Sequence, residues 1–365
     1  MTENKGLFVL LDEIVQKYIK EYFNIRSGSF EEEATGSDIF VDDKDLVYEV
    51  VPREVKSSVF ALDGSSRSLV SAGGIISIST LAISSSFTPV YGVYPSLFSL
   101  PSLQLKRPFI AIASSTPTYG KIEPFLYSSN SFLTSVSLAG EPFLSTYDPD
   151  RIETEIRGVL ETEALKITKE KGLTILDGPL FPSYIYLPEK VKQAINNERK
   201  KIIDDNYIGV VKRLDKSNLL ISSISRNKDF ENKYKVTPRN FLSDESFLYQ
   251  LVRFNFSPPY PILAIGPIIR KTDEKITYFI HYLIVPYHKY VPKFSILRVE
   301  SLKKDAIEYI ASLPFSRDGI PKILSIADKT AKELSNGILK YIIFSLSRIG
   351  LQESFRDKFE VNNIV

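Results

Sequence analysis

Residues 7 to 23 place Leu7, Leu10, Leu11, Ile14, Val15, Tyr18, Ile19 and Tyr22 at spacings of three and four, which predicts an amphipathic helix. The stretch that follows, RSGSFEEEATGSDIFVDDKD, is acidic and rich in turn formers and reads as a linker or exposed loop. The period then changes to strand-like alternation. SSVFALD, SLVSAGGIISISTLAIS and KRPFIAIASS are rich in β-branched and aromatic residues and predict three consecutive strands, the middle one long, in an antiparallel meander. Helical spacing returns over residues 149 to 171, and Gly172 stops that helix before the strand LTILDGPLF. A second helix, opened by Pro188, leads into the strand YIGVVKRL. Beyond it, residues 240 to 253, 303 to 312 and 321 to 348 predict helices, while YPILAIGPIIR, ITYFIHYLIVP and KFSILRVES predict strands. A meander followed by alternating helices and strands describes an α/β domain with a mixed sheet flanked by helices, here behind an N-terminal helical extension.

Composition narrows the chemistry more than the fold. The chain has no Cys, so disulfides, zinc-thiolate sites and cysteine nucleophiles are excluded, and only oxygen and imidazole ligands remain. With 46 Lys+Arg against 44 Asp+Glu the formal charge is +2, so a nucleic-acid role must rest on local basic patches. The first residues carry acids within their apolar pattern, unlike a secretory signal. No stretch reaches the ~18 uncharged apolar residues of a membrane span, and the chain reads as a cytoplasmic protein without membrane contact. Frequent Ile, Lys and Glu with no Cys resembles the usage of hyperthermophile proteins.

Two apolar runs end in the same pair, FALDGSSRS at Asp63-Gly64 and TILDGPLF at Asp177-Gly178. Either alone reads as a favoured turn pair. Together they predict two carboxylates at the carboxyl ends of strands, where open α/β sheets bind ligands. Glu153, Arg157 and Glu161 share one helix face, and the short turn before the next strand brings Glu161 toward the same edge. Spacing alone favours a solvated stripe in which Arg157 pairs with its acidic neighbours. Carboxylates gathered at one edge repel unless a cation sits among them, and hard oxygen ligands suit Mg²⁺ or Mn²⁺. Other chemistries lack their motifs: there is no phosphate-cradling Gly-x-x-x-x-Gly-Lys-[Ser/Thr] and no Gly-x-Ser-x-Gly. His281 and His288 lack a metal-ligand spacing and read as ordinary strand and loop residues, and Ser84 to Ser86 reads as a loop.

In this order the motifs resemble those of the NurA family, archaeal and bacterial nucleases of DNA-end processing. FALDGSSRS resembles the family's opening strand, RGVLE its helical Arg-x-x-x-Glu, ILDGPL its second Asp-Gly strand, and GVVKRLDKS its Gly-Val-x-Lys strand. LRVE matches a strand ending in Arg-x-Glu, and IPKILSIAD matches in part a Tyr-Pro followed by a helical Ala-His. In that last motif Ile320 stands where the family has Tyr, and Asp328 where it has His. The resemblance runs from about residue 55 to 335.

The resemblance implies an RNase H-like fold, with residues 1–50 as N-terminal helix and linker for dimer or partner contact, 51–348 as the nuclease domain and 349–365 as a tail. It implies metal ligands at Asp63, Glu161, Asp177 and Asp328, with Asp63 bridging two Mn²⁺ or Mg²⁺ ions, Glu161 and Asp177 completing one site and Asp328 the other. Lys212 is then a phosphate-binding or ligand-orienting group, and Lys212, Arg213 and Lys216 are expected to contact DNA phosphates. The expected activity is 5′–3′ exonuclease and single-strand endonuclease action in double-strand break end resection, as a homodimer working with the hexameric translocase HerA. The competing expectations are a NurA-like scaffold that binds DNA without cutting it, and an RNase H-like nuclease acting on RNA.

Overall fold

The structure, a computed structural model, describes residues 39–41, 46–71, 74–96, 100–114, 132–144, 146, 149–272, 276–348 and 355–357. The helix expected over residues 7 to 23 and most of the acidic linker lie outside them. The described part of that linker is extended. Its strand β1 (Ile39–Val41) and the following β2 (Val47–Glu49) both pair antiparallel with a later strand of the main sheet.

The expected meander is present with its reversal displaced. β3 (Val59–Ser71) runs through Asp63 and Gly64 without ending, and β4 (Gly74–Ser85) returns along it from Ser71↔Gly74 to Phe60↔Ser85. The chain thus turns inside the segment expected to be one long strand, and Ser84 and Ser85 close β4 instead of forming a loop. The polar residues after Gly64 continue the strand because their hydroxyls find partners across the ladder. Ser66 pairs with Ser79 at 3.1 Å and Ser68 with Ser77 at 2.8 Å.

β5 (Gly92–Tyr94), β6 (Ile110–Ser114) and β7 (Leu133–Thr134) follow, with β6 antiparallel to β4. α1 (Pro149–Thr168) buries Ile152, Ile156, Leu160 and Ala164, spaced by four, against Phe60 and Leu62 of β3. At Gly172, with φ of 156°, an added Cβ would meet the Ser58 carbonyl oxygen at 2.1 Å, so glycine alone lets the chain enter the sheet there. β8 (Leu173–Asp177) pairs parallel with β3, and after α2 (Glu189–Ile202), β9 (Tyr207–Val211) pairs parallel with β8. The spatial order β6-β4-β3-β8-β9, with β4 alone antiparallel to β3 among the inner strands, is the RNase H-like arrangement expected.

Two short helices, α3 (Leu219–Ile224) and α4 (Lys228–Tyr234), precede α5 (Asp244–Asn255) and were not foreseen, each being too short to show a helical period. β10 (Leu263–Lys271), β11 (Thr277–His288) and β12 (Val291–Ser301) form a second antiparallel meander whose β12 joins β9. α6 (Ala306–Ser312) and the long α7 (Lys322–Arg348) cover the sheet face opposite α1, and β13 (Phe355–Asp357) pairs with β3. No described helix is long and apolar enough to cross a membrane.

His281 lies on β11, 2% exposed, and burial first, then Lys304, pushes its pKa from 6.5 to about 4. Between these values the unfolded chain binds a proton that the folded chain refuses, so stability falls with pH through this window, by about 3 kcal/mol in all. Denaturant unfolding of His281→Gln between pH 7 and 4 should lack that decline. An undiminished decline would place the acid sensitivity elsewhere.

Candidate metal centre

Alternation along β3 and β8 decides where the two aspartates point. Leu62 and Leu176 pack with α1, whereas Ala61 and Ile175 pack with α6 and α7. Asp63 and Asp177, two residues beyond the latter, therefore face α7. Pairing between the strands stops at Leu62↔Leu176, and β8 ends at Asp177 while β3 runs on. The edge at which both acids stand is thus made by the end of β8 alone. That corrects the expectation that each aspartate closes its strand.

α7 supplies the third acid. Its buried Leu324, Ala327 and Ala331 seat the helix on the sheet, and Asp328, beside that stripe, is only 9% exposed. One carboxylate oxygen from each of Asp63, Asp177 and Asp328 lies within 4.8 Å of the other two. Glu161 arrives from the opposite face, on α1. An added Cβ on Gly64 would meet Glu161 Oε1 at 2.8 Å and the Arg157 side chain at 2.9 Å, so this glycine lets the glutamate close on the strand beside Asp63. Gly178 serves differently, turning the chain out of β8 at a φ of 120°. Three of the four expected acids, Asp63, Asp177 and Asp328, therefore gather on the α7 face, while Glu161 lies against Gly64 on the α1 face and outside that group.

Lys212 leaves the end of β9 and donates through Nζ to Asp177 Oδ2 and Asp328 Oδ1, each at 2.6 Å. Lys332, one helical turn from Asp328, donates to both of its oxygens, at 2.8 and 2.7 Å. Lys329 pairs instead with Asp318 at 3.2 Å. Arg213 and Lys216 are exposed on the loop after Lys212 and take no part in the acidic cluster. His281 and His288 are strand residues outside it.

The charges respond to this crowding. Burial, then Asp177 and Glu161, holds the Asp63 carboxyl well above the usual carboxylate range. Burial also raises Asp177, against the opposing pull of Lys212. Asp328 is held below its usual value: burial acts upward, and the hydrogen bonds from Lys212 and Lys332 outweigh it. For Lys212, burial acts downward and the two aspartates win, keeping the ammonium charged. A set of hard oxygen donors with a shortage of positive charge at Asp63 suits a divalent cation.

Three buried charges near the site were not foreseen. Arg199 lies on the apolar face of α2 with Val191, Ile195 and Ile202, and its signal, a cation at a stripe position, was hidden in the basic run Arg199-Lys200-Lys201. Arg298 and Glu300, quoted within the LRVE motif, form a buried ion pair at 3.1 Å. Beside the acids, a cleft of about 560 Å³ runs between Lys212, Asp328 and Lys332 and the aromatic Tyr287 and Phe294.

No curated protein matches this chain. Solved structures of similar shape include the NurA nuclease from Sulfolobus solfataricus, 12% identical over 94% of this chain and 98% of that one, with a TM-score of 0.46. A NurA structure with manganese is 13% identical over 92% and 98%, with a TM-score of 0.41. The catalytic domain of human endonuclease V is 12% identical over 80% and 92%, with a TM-score of 0.33. The NurA domain model matches residues 57–333, which spans every acid of the cluster and both strands of the Asp-Gly pairs. With that match covering well over half of its length, the chain belongs to the NurA family of nucleases.

Proposed function

We propose that this chain is a divalent-metal-dependent DNA nuclease that trims ends 5′ to 3′ and cuts single strands during double-strand break resection, as a homodimer with a HerA-type translocase. The observation that carries the metal dependence is the convergence of Asp63, Asp177 and Asp328 within 4.8 Å. Family membership alone supports the polarity and the partners. Asp63, Asp177 and Asp328 would hold one Mn²⁺ or Mg²⁺, and Asp63 with Glu161 a second. Such ions neutralise phosphate oxygens, lower the pKa of a water and stabilise the leaving oxygen.

The protein's own groups supply the rest. Asp63, raised well above its usual range by burial and by the charges of Asp177 and Glu161, is the acid most in need of a cation. Lys212, charged at the rim between Asp177 and Asp328, offers an ammonium to the phosphate that approaches these acids. Arg213 and Lys216 extend that positive edge. Tyr287, with the Lys293 ammonium over its ring, and Phe294 line the cleft, an aromatic and cationic wall suited to an unpaired base and its phosphate. A scaffold without catalysis is favoured by one observation, that Lys212 and Lys332 already neutralise Asp328.

End-labelled DNA and RNA of the same sequence, incubated with Mn²⁺, with Mg²⁺ and with chelator, test the reading. DNA cleavage that needs the metal is expected. DNA binding without cleavage in either metal would favour the scaffold, and preference for RNA the other enzyme class. On single strands the Arg213→Ala/Lys216→Ala variant should flatten the salt dependence of binding by about 1.4 in slope, at about 0.7 for each phosphate no longer neutralised. An unchanged slope would move the DNA path to another surface.

A further inference from the structure

The arginine that the sequence motif pairs with Glu161 is not the one that holds it. Arg157 approaches Glu161 Oε1 at 3.7 Å with 42% of its side chain exposed. Arg199 is 3% exposed and donates through Nη2 to Glu161 Oε2 at 3.0 Å. Its other nitrogens serve other elements. Nε donates to Thr162 Oγ1 on α1 at 3.0 Å, and Nη1 donates to the Leu180 carbonyl oxygen at 3.3 Å, three residues past Asp177. The Leu180 peptide is gripped from its other side as well, its N–H donating to Glu300 Oε2 at 3.0 Å. A planar guanidinium can serve three partners in fixed directions, which a lysine ammonium at the same depth cannot.

Resting on the metal-dependent reading above, we propose that Arg199 is a positioning residue that sets the Glu161 carboxylate against Gly64, next to Asp63 in the chain, and fixes the turn leaving Asp177. It ties α1, α2 and the turn after β8 at one buried point, so the placing of Glu161 relative to that turn rests on it. Groups of this kind behind metal ligands alter metal affinity by about 10- to 100-fold when changed.

The test uses the full chain with Arg199→Lys, which keeps the buried charge and removes the fork. Free Mn²⁺ is followed by electron paramagnetic resonance in a titration without DNA, alongside thermal unfolding in chelator and the kcat and KM of DNA cleavage. The expected result is near wild-type binding of one ion, at least about tenfold weaker binding of the second, lower kcat, unchanged KM and a melting temperature close to wild type. A purely structural role would lower the melting temperature and leave Mn²⁺ binding intact. Wild-type affinity for two ions in Arg199→Lys overturns the assignment and leaves the metal-dependent reading standing. A wild-type chain that binds no Mn²⁺ overturns both. If Arg199→Lys does not fold, Thr162→Val removes the Nε partner, along with the bond that Thr162 Oγ1 donates to the Gly158 carbonyl within α1. It must show the same selective loss of the second ion, and unchanged binding there overturns the proposal.

Discussion

Asp63→Asn should abolish DNA cleavage and, in chelator, make the chain harder to unfold. Both effects have one cause. Asp63 is 7% exposed and its carboxyl is raised well above the usual range by burial, Asp177 and Glu161. The folded chain therefore holds that proton more tightly than the unfolded chain. The stabilisation of the protonated form is fully present below the unfolded value of 3.8 and is lost as pH rises through the raised folded value. At neutral pH an ionised Asp63 thus works against folding, and asparagine keeps its shape without that charge. The same substitution removes one of the three acids that gather within 4.8 Å. The rate should drop at least about a thousandfold, on the order of 4 kcal/mol of barrier. Melting curves in chelator and in Mn²⁺ check the pair of effects: the variant should melt higher than wild type in chelator and gain less from Mn²⁺. A variant that melts lower and still cuts DNA would show that Asp63 is an ordinary buried acid.

Asp328→Ala should lower cleavage by about a hundredfold, near 2.7 kcal/mol, without unfolding the chain. The fold should survive because Lys332 is half-exposed and returns to water, while Lys212 keeps Asp177. Asp328→His tests the same position from the other side. Imidazole replaces a charged oxygen donor by a neutral nitrogen, so cleavage should persist in Mn²⁺ and weaken in Mg²⁺, which demands hard ligands. Parallel rate measurements in the two metals decide it. Wild-type rates for Asp328→Ala in both would remove Asp328 from the site and leave Asp63 and Asp177 without a third ligand on that face.

Much of the candidate site was legible because its residues sit beside strong local signals. Asp63 and Asp177 follow apolar runs, Glu161 lies on a well-patterned helix, and Asp328 borders the apolar stripe of α7. Lys212 was legible as a residue at the end of a strand, but its salt links to Asp177 and Asp328, 35 and 116 positions away, were not.

The chain's own residues carry the order and type of the long elements, since burial on one face imposes a period on every such segment. They also limit the chemistry available to oxygen and imidazole ligands, with no thiolate. Tertiary structure decided the rest. The continuation of β3 through Asp63 depends on hydroxyl partners supplied by β4, and local sequence contains no record of them. The grouping of Asp177 with Asp328 depends on the face to which strand alternation turns each acid once the helices have chosen their sides. Along the chain Arg199 is one cation of a basic run, and only the packing of α2 against α1 buries and pairs it, because burial and pairing are properties of the assembled layers and not of the spacing along one chain.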